Sequence, residues 1–189
     1  PPGLGFNAIS EKALQFSKSN GLTRSYWDWQ AMITNNASGY FPYTPATNLL
    51  YGLQESLSML AAEGLDKVFS RHDRMAEATR RAVQAWGLEV LCKNPDEYSS
   101  VLTGVMMPDG VDADAVRKVI LDNFDMSLGM GLGKMKGKIL RIGHLGEINE
   151  LTLIGALSGV EMGLSLAEVS YQKGGVAQAM SYLTETAER

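Results

Sequence analysis

The stretch KILRIGHLGE, residues 138–147, combines two features that are hard to reconcile. Ile139, Leu140 and Ile142, followed by the small Gly143, read as a buried β-strand. Arg141 stands in the middle of that strand, and arginine is always charged and rarely buried without a partner. No acidic residue lies within the strand, and Glu147 is six residues further on, past Gly146. Two explanations remain open on the residues alone. Arg141 pairs with a carboxylate elsewhere in the chain, or with a ligand carboxylate held by the flat, two-pronged guanidinium. A buried charge stripped of its partner costs about 3–5 kcal/mol, so some group must face it.

The segments around this strand set the fold. LEVLC (88–92), VLTGVMMP (101–108) and MSLGM (126–130) are further strand candidates. Asp112 is placed to cap a helix with Val116, Val119, Ile120 and Phe124 facing inward, and Asn149 to cap another running to about Glu168. The order strand, strand, helix, strand, strand, helix predicts an α/β protein of the α+β sandwich kind, its helices covering one sheet face.

The first third of the chain reads differently. LGFNAI (4–9) resembles a short strand, and Ser10 is placed to cap a helix from Glu11 to about Lys18 that stops at Asn20-Gly21. YWDWQAM (26–32) is aromatic-rich, and NNASGYFPYTP (35–45) is turn-like. Thr44-Pro45 then reads as a helix start, with Leu49, Leu50, Leu53, Leu57 and Leu60 along one face. Gly64 breaks or kinks that helix. A second helical pattern reaches Trp86, with Val68, Phe69, Met75, Thr79, Ala82, Val83 and Trp86 on its apolar side. Arg71, Asp73, Arg74, Glu77, Arg80 and Arg81 read as a solvated face. The domain boundary is expected near residues 64–87, inside this long helical stretch, with residues 1–64 assigned to one domain and 65–189 to the other.

Composition narrows the function. The 189 residues carry a formal net charge of −4, 45% hydrophobic and 20% charged residues, as an ordinary globular chain does. No basic face suited to nucleic acid is evident. A single cysteine rules out an internal disulfide framework and suggests a reducing cytoplasm. No signal peptide is visible. The chain opens on Pro1-Pro2-Gly3, without methionine, which leaves a fragment, a processed product or a segment numbered from a break as alternatives.

Several motifs carry less than they first suggest. Gly155, Gly159 and Gly163 form a small-residue stripe, but Glu161 interrupts a run already short for a membrane span, so close packing on a sheet is the expectation. GMGLGKMKGK (129–138) is no P-loop, since Met135 follows Lys134 where Ser or Thr is required. It reads as a hairpin-like connection, or as a loop beside a ligand. His72 and His144 lack companions at metal-ligand spacing, so no metal is expected. Cys92, in an apolar strand, reads as core rather than nucleophile. At Thr44 a hydroxyl meets the free amides of a helix start, which suits an anion as well as a plain cap. Tyr43 adds a second hydroxyl there.

Three stretches together, PPGLGFNAIS, FPYTPATNLLYGLQESL and LGMGLGKMKGKILRIGHLGE, resemble the C-terminal part of the class V pyridoxal-phosphate aminotransferases, the serine–glyoxylate type above all. The resemblance runs along essentially the whole chain and implies the C-terminal part of a fold-type I pyridoxal-phosphate transferase. Residues 1–64 would finish the large cofactor domain, and residues 65–189 would form the small α/β domain. In that family the PPG follows shortly after the lysine that carries the cofactor as a Schiff base. The catalytic lysine is therefore expected just before Pro1, in an N-terminal half of the same enzyme. Neither Lys12 nor Lys134 stands in the family's lysine motif.

The resemblance also implies roles for residues present here. Thr44 matches the threonine that contacts the phosphate of pyridoxal 5'-phosphate in the neighbouring subunit, which implies a homodimer. Arg141 matches the arginine that binds the substrate α-carboxylate. Relatives often carry tyrosine three residues before the threonine, where Phe41 stands here, and Tyr43 is the candidate to replace its hydroxyl. The implied reaction moves an amino group from serine to glyoxylate, giving hydroxypyruvate and glycine. Another donor, alanine or aspartate, is the alternative within the class. A desulfurase would need a mobile cysteine, for which Cys92 is poorly placed. An isolated, non-catalytic dimerisation module is the alternative outside the class.

Overall fold

The computed structural model describes residues 3–19 and 21–187, so the Pro1-Pro2 opening and the helix stop at Asn20 lie outside it. The chain divides into two compact units, Pro1–Glu63 and Gly64–Arg189.

The first unit holds helices α1 (Glu11–Ser19), α2 (Trp29–Ala37) and α3 (Thr47–Glu63). Residues 4–9 form no strand: no described strand pairs with them, and a strand without a ladder leaves its backbone groups unmatched. Helix α2 sits in the aromatic-rich stretch, started by Asp28, whose side chain accepts the Gln30 amide at 2.9 Å. Helix α3 starts later than expected, because the Thr47 amide bonds the Pro45 carbonyl at 2.9 Å and the first helical bond is Leu50 to Ala46. Thr44 and Pro45 therefore precede the helix, consistent with the extended bias of a residue before proline. No described residue of this unit is buried. Phe6, Phe16, Trp27 and Tyr51 are each more than 65% exposed, and the leucine face of α3 is half open, with Leu57 at 55%.

The second unit begins at Gly64, whose φ of +87° suits glycine and separates α3 from α4 (Leu65–Ala85). Strands β1 (Glu89–Val90) and β2 (Leu102–Met106), helix α5 (Ala113–Phe124), strands β3 (Gly129–Met130) and β4 (Ile139–Gly143), and helices α6 (Glu150–Leu166) and α7 (Gly175–Glu185) follow. The sheet is antiparallel in the order β1-β2-β4-β3, so the long β2 and β4 are central and the two-residue β1 and β3 form its edges. Thr103, Val105, Leu140 and Ile142 point to one face and are buried under the helices. They join Met75, Val83, Trp86, Val116, Ile120, Leu153, Leu157 and Leu164, and Thr103 apart, these form one core.

The helix starts follow their sequence signals. Asp112 accepts the Asp114 amide at 2.9 Å, and Asn149 with Thr152 forms a reciprocal capping box on α6. Of the glycine stripe, Gly163 packs on helix α5 and Gly159 on the segment after it. A Cβ at Gly163 would lie 2.1 Å from Ile120 Cγ1 of α5, and one at Gly159 2.7 Å from Met126 Cε, while Gly155 faces open space.

Helix α7 has no local start signal. Its N-terminus is capped from α6: the Glu161 carboxylate accepts the amides of Gly174 (2.8 Å) and Val176 (2.9 Å) and the indole N–H of buried Trp86 (2.8 Å). Burial pushes this carboxyl up, but the Trp86, Gly174 and Val176 hydrogen bonds together prevail and hold it below the usual carboxylate range. Docking of α7 also changes the charged face of α4. Arg74 reaches Thr186 Oγ1 at 2.9 Å, the Leu183 carbonyl at 2.6 Å and the Glu150 carboxylate. Arg80 lies over the Tyr98 ring at 4.8 Å. Both arginine side chains are under 20% exposed, so this face is covered in part rather than fully solvated, and Phe69 points outward instead.

Candidate functional site

Alternation along β4 puts Ile142 and Leu140 under the helices and Arg141 on the opposite face of the sheet. Directly across from Arg141 stand two glycines, Gly104 on β2 and Gly129 on β3. The arginine arm lies beside Gly129, while the Leu91 side chain occupies the space beside Gly104. Arg141 Nε is buried and has no hydrogen-bond partner, and no ion pair reaches this residue from any described part of the chain. Arg141 also lines a cavity of about 300 Å³, with Leu91, Cys92, Tyr98, Ser99 and Gly104 among its neighbours. A partly buried cation with an orphaned donor beside a cavity is suited to an anionic ligand. Cys92 lies past the end of β1, half-buried, its Sγ 3.4 Å from the Asn94 carbonyl, and so is not the strand-core residue expected.

The segment after Arg141 is held by both histidines. Buried His144 donates from Nδ1 to the Ser100 carbonyl (3.1 Å) and accepts at Nε2 from the Thr103 hydroxyl (2.9 Å). His72 donates from Nδ1 to the Val68 carbonyl (2.7 Å) and accepts the Gly146 amide at Nε2 (3.1 Å). Arg71 adds bonds to the carbonyls of Gly146 (2.7 Å) and Ile148 (3.2 Å). The histidines thus fix the loop that leaves the Arg141 strand.

Burial lowers the His144 pKa to about 4, outweighing the Ser100 carbonyl that favours its charged form. The folded state therefore binds fewer protons than the unfolded state between pH 6.5 and about 4. Stability contributed by neutral His144 is complete above that window and falls as pH drops through it. Unfolding free energies from urea titrations at pH 7 and pH 5 should differ by about 2 kcal/mol from this group, and the difference should shrink in His144→Gln. Equal pH dependence in the two proteins would exclude His144 as its source.

In the first unit, a cavity of about 710 Å³ is lined by residues 39–45 with Thr47 and Leu50, among them Phe41, Tyr43, Thr44 and Pro45. The Thr44 hydroxyl has no partner among the described residues, and it precedes the first turn of α3, whose amides lack intrahelical acceptors. Tyr43 is engaged already: its hydroxyl bonds Ser25 Oγ, and its ring lies 5.0 Å from that of Tyr26. An open hydroxyl at a helix start is chemically suited to a phosphate.

No family model matches the chain. Individual proteins do. The chain is 46% identical to the serine–glyoxylate aminotransferase of Methylorubrum extorquens over 98% of its length and 48% of that protein's. It is 37% identical to the L-aspartate–glyoxylate aminotransferase of Paracoccus denitrificans over 98% of its length and 47% of that protein's. Among solved structures, pyridoxamine–pyruvate aminotransferase from Mesorhizobium loti superposes with a TM-score of 0.82 at 31% identity, over 95% of this chain and 47% of that one. The helix-backed antiparallel sheet, with one unpartnered arginine on its open face, thus resembles in sequence and in fold the C-terminal part of the class V pyridoxal-phosphate aminotransferases, which are fold-type I transferases. Within that class the chain is homologous to aminotransferases that act on glyoxylate, and it spans about half the length of the curated relatives it matches.

Proposed function

We propose that this chain supplies the C-terminal half of a cytoplasmic, homodimeric aminotransferase that moves an amino group from serine to glyoxylate, giving hydroxypyruvate and glycine. The observation that carries the reading is Arg141, a cation with no partner among the described residues beside a cavity. Amino donor and keto acceptor both carry an α-carboxylate, so one arginine serves both half-reactions. Pyridoxal 5'-phosphate, when bound, supplies the electron sink for the chemistry at the substrate's α-carbon. Thr44 and the start of α3 would hold its phosphate, with Tyr43 beside them, and the Schiff-base lysine would come from an N-terminal half. Support for serine as donor is the 46% identity to a serine–glyoxylate enzyme. The relative named for aspartate supports a second reading, the same reaction with another donor. Assaying the complete enzyme with serine, alanine and aspartate against glyoxylate separates them: serine should give the highest kcat/KM, and a higher value for aspartate would overturn the first reading.

Thr44→Val tests the phosphate role. It keeps shape and removes the hydroxyl, so cofactor should bind weaker by about 1 kcal/mol, roughly fivefold. Because α3 starts at Thr47, Thr44 contributes no cap, and fold stability should change by less than about 0.5 kcal/mol. Pyridoxal-phosphate titration of the apo-enzyme, with sedimentation alongside, checks both this and the coupling of cofactor affinity to dimerisation. Unchanged affinity would remove Thr44 from the phosphate site.

A further inference from the structure

We propose that Gly129 is a positioning residue for Arg141: its missing side chain is the space across which the guanidinium arm lies, and this sets where the substrate carboxylate is received. The proposal rests on the reading of Arg141 as the carboxylate receptor.

Gly129 on β3 is the direct cross-strand partner of Arg141 on β4. A Cβ added at Gly129 would stand 3.0 Å from both Cβ and Nε of Arg141 and 3.5 Å from Cζ. Directly opposed side chains in an antiparallel pair are normally about 4.5–5.5 Å apart at Cβ. A Cβ here would therefore be tighter than nearly all real contacts, and the arginine must give way to admit one. Gly104, the neighbour on the other side, differs: a Cβ there would meet Leu91 at 3.1–3.2 Å and not the arginine. The two glycines have separate tasks, and only Gly129 governs the arm. Arg141 Nε, beside the position a Gly129 Cβ would take, is buried and has no partner. Any carboxylate must then be taken by the terminal nitrogens, in one direction set by the arm. The strand carrying Arg141 is held in place, because Leu140 and Ile142 anchor it in the core. A side chain at position 129 displaces the arm instead, by a few tenths of an ångström. Such a shift weakens the two-pronged contact without removing it, so the loss in carboxylate binding should be about 10-fold, below that of removing the arginine.

The test is a double-mutant cycle in the full-length holoenzyme. Gly129→Ala should raise KM for both amino and keto acid about 10-fold, and the inhibition constant of propionate, a carboxylate that cannot react, by the same factor. The kcat at saturation should stay within about twofold. Once the arginine is gone the arm no longer matters, so Gly129→Ala/Arg141→Ala should lose no more than Arg141→Ala alone. A merely structural glycine would instead give additive losses, or a fall in kcat with unchanged propionate binding, and either overturns the proposal. If Arg141→Ala is impaired while Gly129→Ala keeps normal KM, only the role of Gly129 falls. If Arg141→Ala itself keeps normal KM and propionate binding, the carboxylate reading falls and takes this role with it. Should Gly129→Ala alone fail to fold, Gly129→Ala/Arg141→Gly decides. Recovery of a cooperative thermal transition supports a clash with the arginine, and failure where Arg141→Gly alone folds overturns it.

Discussion

Arg141→Ala in the complete enzyme raises KM for both amino and keto acid and lowers kcat/KM by roughly 30- to 1,000-fold. The loss corresponds to about 2–4 kcal/mol for a charge-assisted, two-pronged contact made to a carboxylate in a partly buried site. The fold should tolerate the change, because no described residue depends on Arg141 for a hydrogen bond or ion pair. Its removal even relieves an unsatisfied buried nitrogen. Arg141→Lys should recover only part of the activity, because an ammonium cannot present the planar fork. Steady-state kinetics with serine and with glyoxylate varied in turn measure both. Equal kinetics in wild type and alanine variant would remove Arg141 from the substrate site.

Glu161→Ala destabilises the second unit by about 3 kcal/mol, lowering the melting temperature by roughly 6–12 °C. Three donors lose their acceptor together: the indole N–H of a fully buried tryptophan and two amides at the start of α7. Leaving such groups unmatched is more damaging than the loss of one exposed ion pair. Glu161→Gln keeps an acceptor oxygen and should lose less than half as much. Because the carboxyl titrates below its usual range, the stability it adds is present above the unfolded pKa and declines as pH falls through the lower folded one. Thermal melts and amide exchange of residues 175–185 provide the readout. A melting point within 1 °C of wild type would show that α7 is anchored elsewhere.

Much of the second unit was readable from local signals. The strand at 138–144, the cap at Asp112 and the Asn149 start of α6 are written in residues next to each other. Arg141 announced itself as a charge in an apolar strand. What was not readable depends on distant residues. Helix α7 opens on Gly174-Gly175 without a capping side chain of its own, and its cap comes from Glu161, 13 positions earlier. Arg74 and Arg80 look solvent-facing on a helical wheel until α7 and Tyr98 cover them. Gly129 falls in both the MSLGM strand candidate and the glycine-rich stretch after it, and its role emerges only when β3 and β4 pair. In the first unit, Thr44-Pro45 carries both signals of a helix start, yet the Pro45 carbonyl is captured by Thr47 and the helix waits two residues. Asp28 was a usable signal for α2 that the surrounding aromatics obscured.

The two-residue edge strands have a consequence for the protein's behaviour at high concentration. A long bare edge is a template on which another chain can add a strand, which is how sheets grow into aggregates. Here the five-residue strands β2 and β4 are enclosed, and β1 and β3 offer two residues each. The chain turns away at once on one side into the Pro95–Glu97 turn, where proline has no amide to donate, and on the other into the Gly133–Met135 turn with its neighbouring lysines. Both rims are too short to nucleate a register with a second sheet, so this sheet resists edge-to-edge growth by its geometry.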